Sequence, residues 1–408
     1  MIDGLKSVTV KLDIHPDPAG LIGADPGLAW LTDAVSLVGT GPVVRIDPGA
    51  GPRRFERASA AAAELLDNAQ VHDPVDLPGT GPVVFGSFTF DPDSPGSSLV
   101  IPSTVFGCSE RVCWKTTIDF GPGMNLVPVG PPPGRLTEID DVLSETQWMA
   151  AVQEAVDSID AGELEKVVLA RMLSVRGREP LDHGQIVRNL RRSYPGCFTF
   201  CYDSLVGASP ELLIRRLGDV VDSIPLAGSC PRGTSPGHDA RLGAALKASQ
   251  KNLTEHSLAV QTVVDRLAGY CERLIAEPEP SLLLLANLQH LSTKIQGTLR
   301  GSASALELAG ALHPTAAVCG VPVAGALQTI RRLEGFERGR YSGPVGWMDR
   351  RGDGEWALAL RCAELDGPRA QVFAGAGIVA GSDPAAELDE TALKLQAVLS
   401  ALPAINGS

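Results

Sequence analysis

The 408-residue chain carries 35 Lys and Arg against 48 Asp and Glu, a formal charge of -13 at pH 7, with 44% hydrophobic and 20% charged residues. That composition supplies a core for two or three domains or one large α/β unit, argues against a disordered chain, and offers nucleic acid no basic surface. The opening residues MIDGLKSVTVKLDIHPDPAG lack a basic and then apolar leader, and SLLLLANL is far short of the ~18 residues of a membrane span, so a cytoplasmic chain without a membrane partner is expected.

In chain order, GPVVRIDPG and GPVVFGSFTFD read as short strands between Gly/Pro turns, with one helix near RASAAAAELLDNA. The stretch GPGMNLVPVGPPPG, residues 121–134, reads as a boundary or long connection that divides residues 1–134 from 135–408. Beyond it, SETQWMAAVQEAVDSIDAGE places Trp148, Val152, Val156 and Ile159 on one helical stripe, with Ser144 as N-cap and Gly162 at the end. A strand, EKVVLARMLSV, follows, and VGASPELLIRR and DVVDSIPLAGSCPRG read as strands meeting turns. The segment KNLTEHSLAVQTVVDRLAGYCERL reads as helix throughout, and YSGPVGWMDRRGDGEWALALRCAEL as two strands joined by a Gly/Asp turn. Hairpins mixed with separated helices favour α+β over a strictly alternating parallel sheet. Eight cysteines contain no C-x-x-C pair; Cys108/Cys113 and Cys197/Cys201 fit no zinc or redox spacing, so all eight are expected as reduced thiols, mostly small core residues.

Several charges sit where apolar residues are expected. Lys166 opens the strand KVVLAR, and Glu211 stands between the turn GASP and the apolar LLI. The plain reading of each is a solvated edge or turn residue. Glu255 shares a helical face with Leu258, Ala259 and Thr262. On the last helix Leu388, Ala392, Leu395, Leu399 and Leu402 form the expected core stripe, beside Glu387, Glu390, Thr391 and Lys394. An exposed Glu390 to Lys394 pair would be worth only ~0.3 to 0.5 kcal/mol. Arg361 falls on a strand face otherwise built of Ala357, Ala359 and Ala363, which leaves room for a small carboxylate beside a fixed cation, or else makes an outward Ala/Arg surface. Gly375, Gly377 and Gly381 miss the dinucleotide fingerprint by one residue and have no βαβ unit after them, which leaves an oxidoreductase as a weak alternative.

Together KVVLAR, GASPELL, PLAGSCPRG, KNLTEH, LQHLSTKIQGTL, LHPTAAVCG, RYSGPVGWMD, RCAEL and GAGIVAGSDPAAELDETALK resemble, in order over about residues 145 to 398, the chorismate-utilising enzymes. The resemblance implies two large antiparallel sheets packed together with helices outside. Residues 1–134 would be a variable part of the same unit and 135–408 the catalytic region. It implies chorismate as substrate and Mg2+ held by Glu255 and Glu390, with Glu387 supporting from one layer further out. Arg361 and Tyr341 would grip the second carboxylate, with Lys394 a cation beside it. Gly228, Gly375 and Gly377 would allow close backbone approach, and His290, Thr315, Ala317 and Val318 would line the pocket. Lys166 would be the general base toward water and Glu211 the general acid toward the departing hydroxyl, roles that require a neutral amine and a protonated carboxyl.

Within the family, Lys166 favours water over ammonia as nucleophile. Ala227 stands where the aminodeoxychorismate branch carries an attacking lysine, so no glutamine amidotransferase partner is expected. HPTAAVCG is more similar to isochorismate synthases than to salicylate synthases, which also eliminate pyruvate; Val318 and Tyr341 are the departures that bear on that choice. Asn252 replaces a residue commonly acidic in the family. A monomer or weak homodimer is expected.

Overall fold

The computed structural model describes residues 5–130 and 143–403. Residues 131–134 of the Pro-rich connection, and with them the boundary at 134/135, lie outside the described residues. Among the described residues there are eight α-helices: α1 (Arg54–Asp67), α2 (Glu145–Asp160), α3 (His183–Ser193), α4 (Pro236–Ala248), α5 (Gln250–Leu267), α6 (Ala305–Leu312), α7 (Val323–Leu333) and α8 (Pro384–Leu399). None is long and apolar enough to cross a membrane.

The strands of the described residues form one branching hydrogen-bonded network of 20 and a separate sheet of three. Pairing is antiparallel apart from Lys6–Leu12 beside Gln70–His72. One apolar cluster, including Trp30, Phe85, Val100, Trp114, Phe200, Tyr202, Val345 and Trp347, is drawn almost wholly from strands and lies between two sheet layers. Two further clusters join the outer sheet faces to helices: α1, α2, α5, α6 and α7 in one, α3 and α8 in the other. This is the expected α+β sandwich of sheets with helices outside.

The strand Lys166–Arg176 is the spine of the site. Along one edge it pairs with Arg369–Ile378 over ten registered positions, from Arg176 opposite Arg369 to Val167 opposite Ile378. Helix α2 packs beside it as its pattern predicts: Ser144 and Gln147 form a reciprocal capping box, and Trp148, Val152, Val156 and Ile159 are buried.

Four expectations change. Helix α5 stops at Leu267, and Cys271–Ala276 becomes a strand because the free edge of Ile295–Leu299 captures it. The late hairpin is three strands, Pro344–Asp349, Gly354–Leu358 and Cys362–Asp366. Main-chain bonds from Leu358 to Glu211 and from Ala359 to Gly343 break the alternation, and Arg361 sits at a kink with φ 48° rather than on an alanine face. The buried side of α8 is Glu387, Thr391, Leu395 and Val398, while Ala392 is exposed; the helix turns its polar residues inward, toward the site. Finally, Cys108 and Cys113 are not thiols but a disulfide, since they face each other in register across the hairpin of Ser98–Ser109 and Cys113–Asp119. The other six cysteines are free.

Candidate active site

The predicted residues converge on one cavity, about 670 Å³ of empty space including its open mouth. Glu211, Gly228, Glu255, His290, Ala317, Val318, Tyr341, Arg361, Gly375, Gly377, Glu390 and Lys394 line it. Lys166, Thr315 and Glu387 are buried but do not line it; Lys166 meets Glu255, the Thr315 carbonyl accepts from the Val318 amide, and Glu387 meets Lys251. A larger hollow of about 1580 Å³ lies between α1, α6 and the turn at Gly352. Its buried charges are already bound: Arg216 donates to the carbonyls of Gly218 and Arg351, and Asp349 accepts from the amides of Gly79 and Arg351. We therefore place the chemistry in the smaller cavity.

Lys166 is fully buried, not a solvated strand end. Its Nζ lies 3.2 Å from Glu255 Oε1 on α5, near enough for charge pairing but not aligned as a hydrogen bond. A side chain at Gly377 would overlap that same Glu255 oxygen, so the glycine is what lets the carboxylate reach the strand. Gly375 is similarly close, with Tyr341 Oη 3.0 Å from where its Cβ would stand. Gly228 needs its glycine for a different reason, a φ of 74°.

Glu211 is 4% exposed, on the turn between Leu205–Ser209 and Leu212–Leu217. Burial lifts its carboxyl to about 8, against a main-chain hydrogen bond from Leu226 and the charges of Lys166 and Lys394. It is therefore largely protonated at neutral pH.

On the other side, Arg361 Nη2 donates to His290 Nε2 at 2.6 Å. A guanidinium has only donors, so that nitrogen must accept and Nδ1 must carry the proton, which it offers to Ser229 Oγ at 3.0 Å. Burial first, and then the charges of Arg361 and Lys394, hold His290 far below the ordinary imidazole range, consistent with this neutral tautomer. Arg361 Nη1 is buried without a partner, a cationic donor aimed at nothing the protein supplies.

Three of the predicted carboxylates each meet a lysine. Besides Glu255 and Lys166, Lys394 Nζ reaches Glu390 Oε1 at 2.6 Å and the Gly375 carbonyl at 2.8 Å, and Lys251 Nζ reaches Glu387 Oε1 at 2.6 Å. Burial and then the charge of Glu390 raise the Glu387 carboxyl. Among the described residues no three His, Cys, Asp or Glu converge on one point. Of these three acids, Glu255 and Glu390 line the cavity and Glu387 does not.

Sequence reasoning passed over several contributors. Ser229 and Lys251 lie next to residues it named. His256 follows Glu255 and binds Thr293 Oγ1 at 2.7 Å; burial and the charge of Lys166 lower it to about 4, so it stays neutral beside the lysine. Phe373 stacks on Tyr341 at 5.1 Å between ring centroids. Adjacency to Glu255 was the available signal for His256; nothing local marks Phe373.

Comparison with known proteins gives a consistent family. Residues 129–403 match the family described as chorismate binding enzyme. The chain is 35% identical over 390 residues to isochorismate synthase DhbC of Bacillus subtilis, covering 92% of this chain and 94% of that protein. Among solved structures, a putative 2,3-dihydroxybenzoate-specific isochorismate synthase, DhbC of Bacillus anthracis, superposes with a TM-score of 0.77 at 32% identity, over 94% of this chain and 98% of that one. The menaquinone-specific isochorismate synthase MenF of Escherichia coli gives 0.80 at 26% identity, over 98% and 95%.

Proposed function

This chain belongs to the chorismate-binding enzymes, and from that premise we propose that it is an isochorismate synthase whose residues act as follows. The unpartnered, buried Nη1 of Arg361 is the observation that carries the reading, because a buried donor-only cation left without a partner beside a cavity calls for an anionic ligand. Arg361 takes one carboxylate of chorismate, with Tyr341 and Lys394 beside it. His290, kept neutral, accepts from the guanidinium without competing for the anion and so fixes its plane.

The second carboxylate lies toward Glu255 and Glu390, with Glu387 behind them. Left to themselves these acids would repel it. Their oxygens suit Mg2+, which takes one or two protein carboxylates and leaves its other positions to water and ligand. Glu255 and Glu390 would hold Mg2+ there, and its positive charge would offset the repulsion between those acids and the substrate carboxylate.

Lys166 takes a proton from water as its oxygen bonds to C2 of the ring. The ring double bonds shift and the C4–O bond breaks. Glu211, held protonated near neutral pH, gives its proton to the departing hydroxyl, which leaves as water. One water enters and one leaves, so product and substrate are isomers.

The test is purified protein with chorismate and Mg2+ in the absence of ammonia, with products separated chromatographically. Isochorismate without pyruvate is expected, and Lys166→Ala and Glu211→Gln should each abolish it in a folded protein. Salicylate with equimolar pyruvate would overturn the assignment in favour of a salicylate synthase.

A further inference from the structure

The strand bearing Lys166 is supported unequally on its two edges. One edge pairs with Arg369–Ile378 from Val167 to Arg176, whereas the other, among the described residues, meets a strand only at Lys166 and Val167, opposite Val321 and Gly320. Beyond that point four main-chain groups of the strand need partners in a dry interior, where an unpaired one is costly. Among the described residues none of the four finds a strand. The Val168 amide donates to the Cys319 carbonyl. The Val168 carbonyl accepts from Arg338 Nη2 at 2.8 Å, the Ala170 amide donates to Glu334 Oε1 at 2.7 Å, and the Ala170 carbonyl accepts from Trp148 Nε1 at 3.0 Å.

Arg338 does more than finish this edge. Its Nη1 donates to the Val318 carbonyl at 2.8 Å, and its Nε to Glu334 Oε2 at 2.8 Å. The guanidinium lies 4.2 Å from the centre of the Phe90 ring. Arg338 is 4% exposed and Glu334 2%. A single rigid fork thus ties the strand of the proposed base to the turn that carries Val318, and both Val168 and Val318 line the cavity.

We infer that Arg338, braced by Glu334, is a positioning residue of this active site: it sets the spacing between the strand that bears Lys166 and the Val318 wall. The inference rests on the function proposed above for Lys166. A lysine could reach one of the two carbonyls but not bridge both in one plane. Misplacing a reacting group by a fraction of an ångström acts on turnover more than on binding when the carboxylate grips are elsewhere.

The experiment is Arg338→Lys, with Glu334→Gln as the second variant should the first not fold. Steady-state kinetics and amide hydrogen exchange of the 166–172 segment are read on each. Expected is a folded protein whose kcat falls about 10- to 100-fold with KM within about two-fold of wild type, and faster exchange confined to that segment. A folded variant with wild-type kcat, or one whose loss lies in KM, overturns the inference. If the wild-type chain itself leaves chorismate unchanged, the reading of function fails instead and exchange alone decides. Faster exchange restricted to 166–172 then sustains the positioning role, and wild-type exchange or a rise spread over the chain overturns it.

Discussion

Glu211 lies on a turn between two buried strands, and burial raises its carboxyl to about 8 although Lys166 and Lys394 pull the other way. Between the ordinary 4.5 and about 8 the folded chain binds a proton that the unfolded chain releases. The contribution of this group to stability is therefore full below pH 4.5 and is lost as pH rises toward 8. Glutamine does not titrate, so the melting temperature of Glu211→Gln relative to wild type should be higher at pH 9 than at pH 5; calorimetry reads the difference, and a constant offset would contradict the assignment. Activity depends on the same proton, so kcat should decline above about pH 8 in a pH–rate profile. Gly377 makes a second residue-scale case. Its neighbour Glu255 occupies the volume of a missing Cβ, so Gly377→Ala should lower kcat/KM by about 100-fold while circular dichroism keeps the wild-type spectrum.

At the scale of elements, helix α2 and the strand after it form where the sequence pattern puts them, because both patterns agree with their burial. Ser144 caps the helix in a reciprocal box and is not part of the cavity lining. Ser144→Ala should cost about 1 kcal/mol in urea unfolding and leave kcat unchanged. Elements that contribute charge to the site follow their patterns less closely. Helix α8 buries Glu387 and Thr391 and exposes Ala392, contrary to its leucine spacing, since Lys251 and Arg171 from other elements meet those polar groups. The strand pattern around Arg361 likewise fails at a residue in left-handed conformation, held by bonds from distant main chain. Local pattern predicts an element well when its polar residues face water, and less well when tertiary partners draw them inward.

For the whole molecule, strands from the first third pair directly with strands of the remainder: Gly27–Leu31 with Phe198–Asp203, and Val83–Ser87 with Pro344–Asp349. We propose that residues 1–134 and 135–408 are one structural unit. The fragment 135–408 alone should then show no cooperative melting transition, whereas the full chain shows a single one; a cooperatively folding fragment would refute this. The chemical identities at the site were legible in the sequence, because a lysine at a strand start, acids beside apolar stripes and clustered glycines are anomalous wherever they lie, and their order matched one family. The sequence also determined the α+β class, since hydrophobic period is a local property. It did not determine that Cys108 and Cys113 join across a hairpin, that Glu334 and Arg338 close a strand edge rather than decorate a surface, or that Glu211 holds its proton. Those are decided by which groups approach through space and how much water they exclude, and only the tertiary structure supplies both.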